Sequence, residues 1–458
     1  MVIITHRAFI SLRAASLACL LLGCLLLTAC DNERVDSHQN VAPVITSADT
    51  VVAMEDIAFV YHVTFEDDDG PDTIVTYLEY PDWLTHDADS LFGLPGDTVT
   101  DSHISVAVSD GSLADTANVL LRIVAVNDPP QITSPARVAA TGGIAFSYVP
   151  SASDPDGPGL VTSFPVRPSW LITGADSVYG EPPDGIPDTS FVVVVSDGFA
   201  ADTLLVRIDM VPCLAVYGDT RTGHTPHNQI VQQIRAVHPA AVFHTGDLVN
   251  DGTQAEDWAT FGDITEPLIA ESEYYPSLGN HEQQSQLYFD HFELPGNEQW
   301  YAVERNRIHF VVLNSCVALG IGSEQYLWLE QDLSSIADPI LFVAAVFHHP
   351  PYSTGPHVED EKHLRESIVP LFRQYGVDIV FNGHDHHYER SVSDGIHYII
   401  AGGGGAPLRD QARTSPNSLV YLKTYHFCKL SSDGNRLIVR AIGIDGQPID
   451  SFILTSQR

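Results

Sequence analysis

Apolar residues along this chain change their period near residue 213. Between residues 41 and 212 they alternate with polar positions in short runs, such as Ile104-Ser105-Val106-Ala107-Val108 and Val119-Leu120-Leu121-Arg122-Ile123-Val124, with Asp, Gly and Pro between the runs. A period of two bounded by turn residues predicts half-buried strands. The pattern then repeats 87 positions on: Pro43 recurs as Pro130, Asp67 as Asp154, Trp83 as Trp170, Gly93 as Gly180, and Ser109-Asp110-Gly111 as Ser196-Asp197-Gly198, without insertion. Turn residues in register over such a length predict two tandem β-sandwiches, residues 41–127 and 128–212. From Cys213 the apolar runs become continuous, at 214–217, 240–243, 308–313, 340–347, 379–381 and 396–400. Helical spacing lies between them: Thr225 and Pro226 start a helix whose Ile230, Val231, Ile234 and Val237 share one face, and Trp328, Leu329 and Leu333 mark another. Strands alternating with helices predict a layered α/β domain over 213–458, with its functional residues at strand ends.

The first residues follow a third pattern. Arg7 and Arg13 precede an apolar run from 14 to 27 that ends Leu27-Thr28-Ala29-Cys30. Charge followed by an apolar run reads as an export signal, and the tetrapeptide resembles a bacterial lipobox. The resemblance implies a signal peptide over 1–29, lipid on Cys30, a tether over 30–40, and a protein anchored to a membrane of the bacterial cell envelope, in the periplasm or at the cell surface. No later segment is apolar for the roughly 18 residues that a span needs. Setting aside Cys19, Cys24 and Cys30 leaves Cys213, Cys316 and Cys428, too few and too scattered for a disulfide framework. With a net charge of -37 and only three lysines, the chain offers no general nucleic-acid surface, and its acidity suits an exported, solvated one.

The two repeats resemble the cadherin-like, immunoglobulin-like modules of bacterial surface proteins, through their Pro-x-Ile-Thr-Ser openings, Trp-Leu strand and Ser-Asp-Gly strand end. In such arrays acidic junctions bind calcium, which makes Asp67, Asp69 and Asp128 candidate calcium ligands. Ordinary turn chemistry accounts for the same aspartates without a metal. Nothing in the repeats names a protein or polysaccharide partner.

Five blocks in the C-terminal domain carry oxygen and imidazole donors: Gly218-Asp219-Thr220-Arg221, Gly246-Asp247, Gly279-Asn280-His281-Glu282, His348-His349-Pro350-Pro351-Tyr352, and Gly383-His384-Asp385-His386-His387-Tyr388-Glu389-Arg390. A two-metal hydrolase needs a bridging carboxylate, neutral imidazoles and an open coordination position, and these blocks supply the residue types. Their order and spacing resemble the calcineurin-like metallophosphoesterase superfamily, and the His-x-Tyr-Glu-Arg ending is most similar to its purple acid phosphatase branch. The resemblance implies an α/β/β/α sandwich and two divalent or mixed-valence transition metal ions, zinc, manganese or iron. It implies that Asp247 bridges, that Asp219 and His386 hold one ion, and that Asn280, His348 and His384 hold the other, His348 being preferred to His349 by the His-x-Pro spacing. His281 becomes the proton donor or electrostatic clamp. Tyr352, His357 and Arg390 become substrate positioners, with Arg390 open to a second role as a lock on the ligand loop. Gly402-Gly403-Gly404-Gly405 is expected to form a tight backbone approach near the site.

Two departures qualify the transfer. Most of the superfamily has Asp-x-His in the first block, where this chain has Asp219-Thr220-Arg221. His224 or His227 would replace the missing ligand, or Arg221 would grip phosphate with its planar fork. Asn250 stands where purple acid phosphatases place an iron-binding tyrosine, so no iron-tyrosinate colour is expected. The resemblance implies an acid phosphatase-like hydrolase in which metal-bound hydroxide attacks the phosphorus of a monoester. A phosphodiesterase or nucleotidase of the same fold, and a catalytically inactive adhesion or scaffold lipoprotein, are the alternatives.

Overall fold

The computed structural model describes residues 39–458 except Asp69, Pro71 and Pro158. The export signal, Cys30, the tether up to residue 38 and the candidate calcium ligand Asp69 lie outside the described residues. Two compact units divide the chain, one ending at Val126 and the other beginning at Asn127.

In the first unit a four-stranded sheet runs in the order Thr50–Met54, Ala114–Val124, Ser102–Ser109, Ile74–Glu79, and a three-stranded sheet in the order Phe59–His62, Ser90–Gly93, Leu84–His86. The alternation in sequence sets their faces: Ile104, Val106 and Val108 are fully buried, and they meet Leu91 of the opposite sheet in one core. The second unit opens with the same plan. Its sheets run Arg137–Thr141, Ala201–Val211, Thr189–Ser196, Val161–Val166, and Phe146–Tyr148, Val178–Gly180, Ile172–Thr173. The repeat extends to packing. Trp83 meets Phe59 edge-on with ring centroids 6.0 Å apart, and Trp170 meets Phe146 in the same manner at 5.8 Å. The repeated Ser-Asp-Gly turns also match: Asp110 Oδ1 accepts from the N–H groups of Ser112 and Leu113, and Asp197 Oδ1 from those of Phe199 and Ala200. Asp67 is half-buried in the first unit, and in the second the Asp128 N–H donates to Asp156 Oδ2 at 2.6 Å.

The remainder of the second unit is an α/β/β/α sandwich. Its first sheet has six strands in the order Glu273–Pro276, Ala241–His244, Leu214–Tyr217, His426–Ser432, Arg436–Gly443, Pro448–Thr455. The second has seven: Tyr301–Arg305, Ile308–Val312, Phe342–Val346, Ile379–Asn382, Ile396–Ala401, Tyr388–Ser393, Ser418–Leu422. The continuous apolar runs form the inner parallel strands, buried on both faces as such strands require. Phe243 of one sheet stacks on Phe310 of the other with centroids 3.9 Å apart. Helices His224–Ala236 and Ala255–Ile269 cover the first sheet through Ile230, Ile234, Trp258 and Leu268. Helices Glu324–Ser334 and Val369–Tyr375 cover the second through Leu329, Leu333 and Phe372. Among the described residues no helix is long and apolar enough to cross a membrane.

Polar bonds join the second sandwich to this domain within the unit. Thr141 Oγ1 donates to Ser432 O at 2.7 Å, Arg440 Nη2 donates to Gly143 O at 2.9 Å, and the buried Lys429 ammonium pairs with Asp184. Replacing Lys429 by Ala strands the Asp184 carboxylate at the seam. The expected loss is about 2 kcal/mol, below that of a fully buried pair because Asp184 is partly exposed. Denaturant unfolding of Lys429→Ala reads the loss, and limited proteolysis near residue 212 should quicken; unchanged values for both would remove the seam from the stability account.

Candidate metal centre

Strand ends build this site. Asp219 lies two residues beyond strand Leu214–Tyr217, Asp247 three beyond Ala241–His244, Asn280 in the loop after Glu273–Pro276, His348 two beyond Phe342–Val346, and His384 two beyond Ile379–Asn382. Asp219, Asp247 and His384 all have positive φ, at 56°, 57° and 72°. Left-handed backbone is uncommon outside glycine, though Asp and His tolerate it better than most. Such strain persists only where surrounding structure over-determines it, and here the loops tie one another down. Asp219 N–H donates to Gly246 O at 3.0 Å, Gly383 N–H to His348 O at 3.0 Å, and His384 N–H to both Asp219 oxygens at 3.1 and 3.0 Å. A Cβ on Gly383 would overlap Asp219 Oδ2, so that position requires glycine for space. The 402–405 glycine run lies against the same turn, with Gly404 N–H donating to Gly218 O at 2.8 Å.

Two donor groups result. Asp219, Asp247 and His386, all buried, form one. In the other, His348 Nε2 lies 3.0 Å from Asn280 Oδ1, 3.2 Å from His384 Nδ1 and 3.3 Å from Asp247 Oδ1. Asp247 thus belongs to both. It is His348 that meets Asn280 and Asp247. His349 adjoins His348 and His384 but bonds Ser315 Oγ through Nδ1 at 2.8 Å, and its Nε2 is 3.2 Å from Glu361.

The protonation states suit a metal. His348 Nδ1 is 2.9 Å from Thr245 O and His386 Nδ1 is 2.8 Å from Pro407 O. A carbonyl only accepts, so each Nδ1 carries the proton and each Nε2 turns a lone pair into the site. Burial lowers the pKa of all three imidazoles, that of His384 to about 2 and that of His386 to about 3, keeping them neutral. Burial and the neighbouring Asp247 charge push the Asp219 carboxyl well up. Burial acts on Asp247 in the same sense, but His348, His281 and Arg221 outweigh it and bring that carboxyl below its ordinary value. Paired buried carboxylates beside inward imidazole lone pairs are a donor set that fits a transition-metal ion.

Glu282 supports Asp247 from beneath. It is fully buried, and its oxygens accept from the N–H groups of Gly279 at 2.6 Å, Leu248 at 2.8 Å and Asp247 at 3.0 Å. Burial and the Asp247 charge push its pKa up to about 8 against the pull of those donors. Asp385 has a similar supporting part, accepting from Ser353 Oγ at 2.5 Å and His357 Nδ1 at 2.8 Å; these bonds hold it low despite burial. Sequence reasoning assigned neither residue a role, although both stand inside the quoted blocks. Their signal was adjacency to a ligand.

The other candidates separate. Arg221 Nε lies 3.2 Å from Asp247 Oδ2. His281 donates from Nδ1 to Asn250 O at 2.5 Å, which leaves Nε2 3.8 Å from Asp247 Oδ2 at a partly exposed edge. His357 stacks on His384, centroids 3.9 Å apart. Three expectations need correction. Tyr352 is not free to position substrate, because it packs in the second core against Tyr398 with the Arg365 guanidinium 4.3 Å over its ring. Arg390 acts as the lock, bonding Asp450 through Nε at 2.7 Å and Nη2 at 3.3 Å. Neither His224 nor His227 replaces the missing ligand. His224 is exposed at the start of its helix, whereas His227 is buried against Phe261, where desolvation lowers its pKa to about 3.

Glu282→Gln would turn an amide N–H₂ toward backbone N–H groups, leaving a buried donor unsatisfied. The expected loss is about 2 kcal/mol in denaturant unfolding; a variant as stable as the parent would show that the loop holds Asp247 without this carboxylate.

Residues 214–388 match the calcineurin-like phosphoesterase family. Purple acid phosphatase 15 of Arabidopsis thaliana is 33% identical over 171 residues, spanning 32% of this chain and 32% of that protein. Purple acid phosphatase 18 of the same plant is 31% identical over 218 residues, spanning 42% and 49%. The chain thus spans about a third to a half of the length of these curated relatives. Among solved structures, purple acid phosphatase PPD1 from yellow lupin (Lupinus luteus) seeds aligns over 90% of this chain and 96% of its own, with a TM-score of 0.49 and 16% identity. The family match covers every residue of both donor groups, so residues 214–388, site included, are similar to calcineurin-like phosphoesterases and, in sequence, to the purple acid phosphatases.

Proposed function

We propose that this protein hydrolyses phosphate monoesters at the strand-end metal centre, and that it does so outside the cytoplasm, held to a membrane by lipid on Cys30. The observation that carries the catalytic reading is the pair of donor groups sharing Asp247, one with Asp219 and His386, the other with His348, His384 and Asn280, all buried except the exposed Asn280. The relatives support it, since they are named as phosphatases, one of them a phosphoenolpyruvate phosphatase from Allium cepa. The lipobox-like Leu27-Thr28-Ala29-Cys30 and the acidic composition support the location. Calcium on module aspartates, Asp67 and Asp69 in the first and Asp128 in the second, belongs to the same proposal because hard carboxylate oxygens suit that ion.

A bound transition metal supplies Lewis acidity toward a phosphoryl oxygen and brings the pKa of coordinated water to about 7. The protein's own residues do the rest. Asp247 fixes the two groups at a common carboxylate. The bond from His281 Nδ1 to Asn250 O sets its ring so that Nε2 lies 3.8 Å from Asp247 Oδ2; as the imidazolium, with a proton on each nitrogen, it would hand the Nε2 proton to the departing ester oxygen and remain neutral with Nδ1 still bonded to Asn250. His357, held by Asp385 through Nδ1 and stacked on His384, would as the imidazolium offer its Nε2–H to a substrate oxygen.

Turnover of p-nitrophenyl phosphate and bis-p-nitrophenyl phosphate, with zinc, manganese or iron supplied in turn, tests this reading. The monoester should turn over faster, and Asp247→Ala should abolish both rates. Faster diester cleavage would make the protein a phosphodiesterase, and silence with every metal in a folded protein would favour the scaffold alternative. His281→Ala should lower kcat by roughly 100-fold with little change in KM, as loss of a proton donor does; a raised KM at unchanged kcat would reduce His281 to a binding group.

A further inference from the structure

The two donor groups differ in what already touches them. Around His348 Nε2, Asn280 Oδ1, His384 Nδ1 and Asp247 Oδ1, no guanidinium or ammonium bonds to any of the four donor atoms among the described residues. In the other group a side-chain cation is in place. Arg221 Nε lies 3.2 Å from Asp247 Oδ2, and Arg221 Nη2 lies 3.4 Å from His386 Nε2. These are two of the three donor residues that a first metal ion would take.

Several observations make this arrangement a built one. Arg221 is anchored two residues after Asp219 by its own N–H to Asp247 O at 3.4 Å, and Thr222 turns the chain with φ 65°. The guanidinium is mostly buried, with its side chain 14% exposed, and a guanidinium group is a permanent cation with planar donors. His386 Nε2 is an acceptor, since Nδ1 spends its proton on Pro407 O, so the lone pair that would bind a metal accepts a guanidinium N–H instead. Asp219 and Asp247 are both buried and need a positive partner. A divalent ion bonded to these atoms would sit within a few ångströms of a fixed positive charge. Among the described residues no fourth His, Cys, Asp or Glu joins the group, and His224 and His227 lie outside it.

We propose that the Arg221 guanidinium is the resident cation of the first donor group. The chain then binds one transition-metal ion, in the group of Asn280, His348, His384 and Asp247, with a fixed guanidinium beside it in place of a second ion. A phosphate ester is held between that ion and the arginine fork, whose planar donors match two phosphoryl oxygens. The inference rests on the metal-dependent reading above, yet it concerns stoichiometry and survives even if the substrate is not a phosphate ester.

Metal content measures it directly. The chain, stripped with chelator, reloaded with excess manganese and dialysed, should retain one ion per chain by elemental analysis, with the six-line electron paramagnetic resonance spectrum of an isolated Mn(II). Arg221→Ala and Arg221→His should rise to two ions and show the broadened spectrum of a coupled pair. His386→Ala should stay at one, and His348→Ala should fall to none. Two ions in the parent, none in the parent, a count in Arg221→Ala that stays at one, or a loss in His386→Ala would each overturn the proposal. The His386 and His348 variants decide it if the arginine variants do not fold. One ion without turnover on either nitrophenyl ester would leave the stoichiometry standing and sink the phosphoesterase reading.

Discussion

Two buried carboxylates organise the α/β/β/α domain. Asp219 and Asp247 are withdrawn from water, and burial together with mutual repulsion raises the Asp219 pKa. Such a pair is tolerable only if positive charge and oriented dipoles surround it. The structure supplies the dipoles through N–H groups: both oxygens of Asp219 accept from His384, and Asp247 accepts from His281. Arg221 supplies one cation. The remaining deficit is what a metal ion would fill, so the fit of the donor groups to a metal and the strain of their loops have a common origin.

That origin explains the geometry of the loops. Three site residues hold left-handed backbone, and no short-range preference makes all three adopt it together. The sheets impose it by bringing the strand ends of 214–217, 241–244 and 379–382 close enough for each loop to bond the next. Glycines at 383 and 404 allow close approaches, where a side chain would collide with Asp219 or Gly218. Glu282 adds a second layer. One carboxylate gathers the N–H groups of Gly279, Asp247 and Leu248, so the Asp247 turn and the Asn280 turn cannot move independently.

The donor residues were legible in sequence because each follows an apolar run closely and no other role suits so many His, Asp and Asn residues at strand ends. The 87-residue repeat was legible because turn residues recur without insertion, and both sandwiches repeat even the Trp–Phe edge contact. What escaped was decided by distant partners. Arg390 reads as a positioner until Asp450, sixty residues on, takes its guanidinium. Tyr352 follows a ligand in sequence, but a cation over its ring and Tyr398 beside it claim it for the core. Strand His426–Ser432 looks too polar to be buried, yet all seven residues are, because His426 lies against the glycine run and Lys429 and Ser432 meet the second sandwich. Such burial is a property of the seam and leaves no periodic trace.

The acidic net charge and the arginines beside the donor groups act over different ranges, which bears on how an anion would reach the candidate metal centre. The chain carries -37 overall, so its far field repels phosphate. Cations are nevertheless concentrated at the centre: Arg221 touches Asp247 and His386, Arg409 Nε lies 3.4 Å from His386 Nδ1, and Arg413 donates to the carbonyls of Ser353 and His357. Screening reduces interactions between exposed charges beyond about 8–10 Å at ordinary salt. At that range the far field fades while the buried arginine at the donor groups, poorly screened, still acts. Binding of an anion would therefore be decided at short range, by the arginine fork and the metal, and the acidic surface would set solubility rather than affinity.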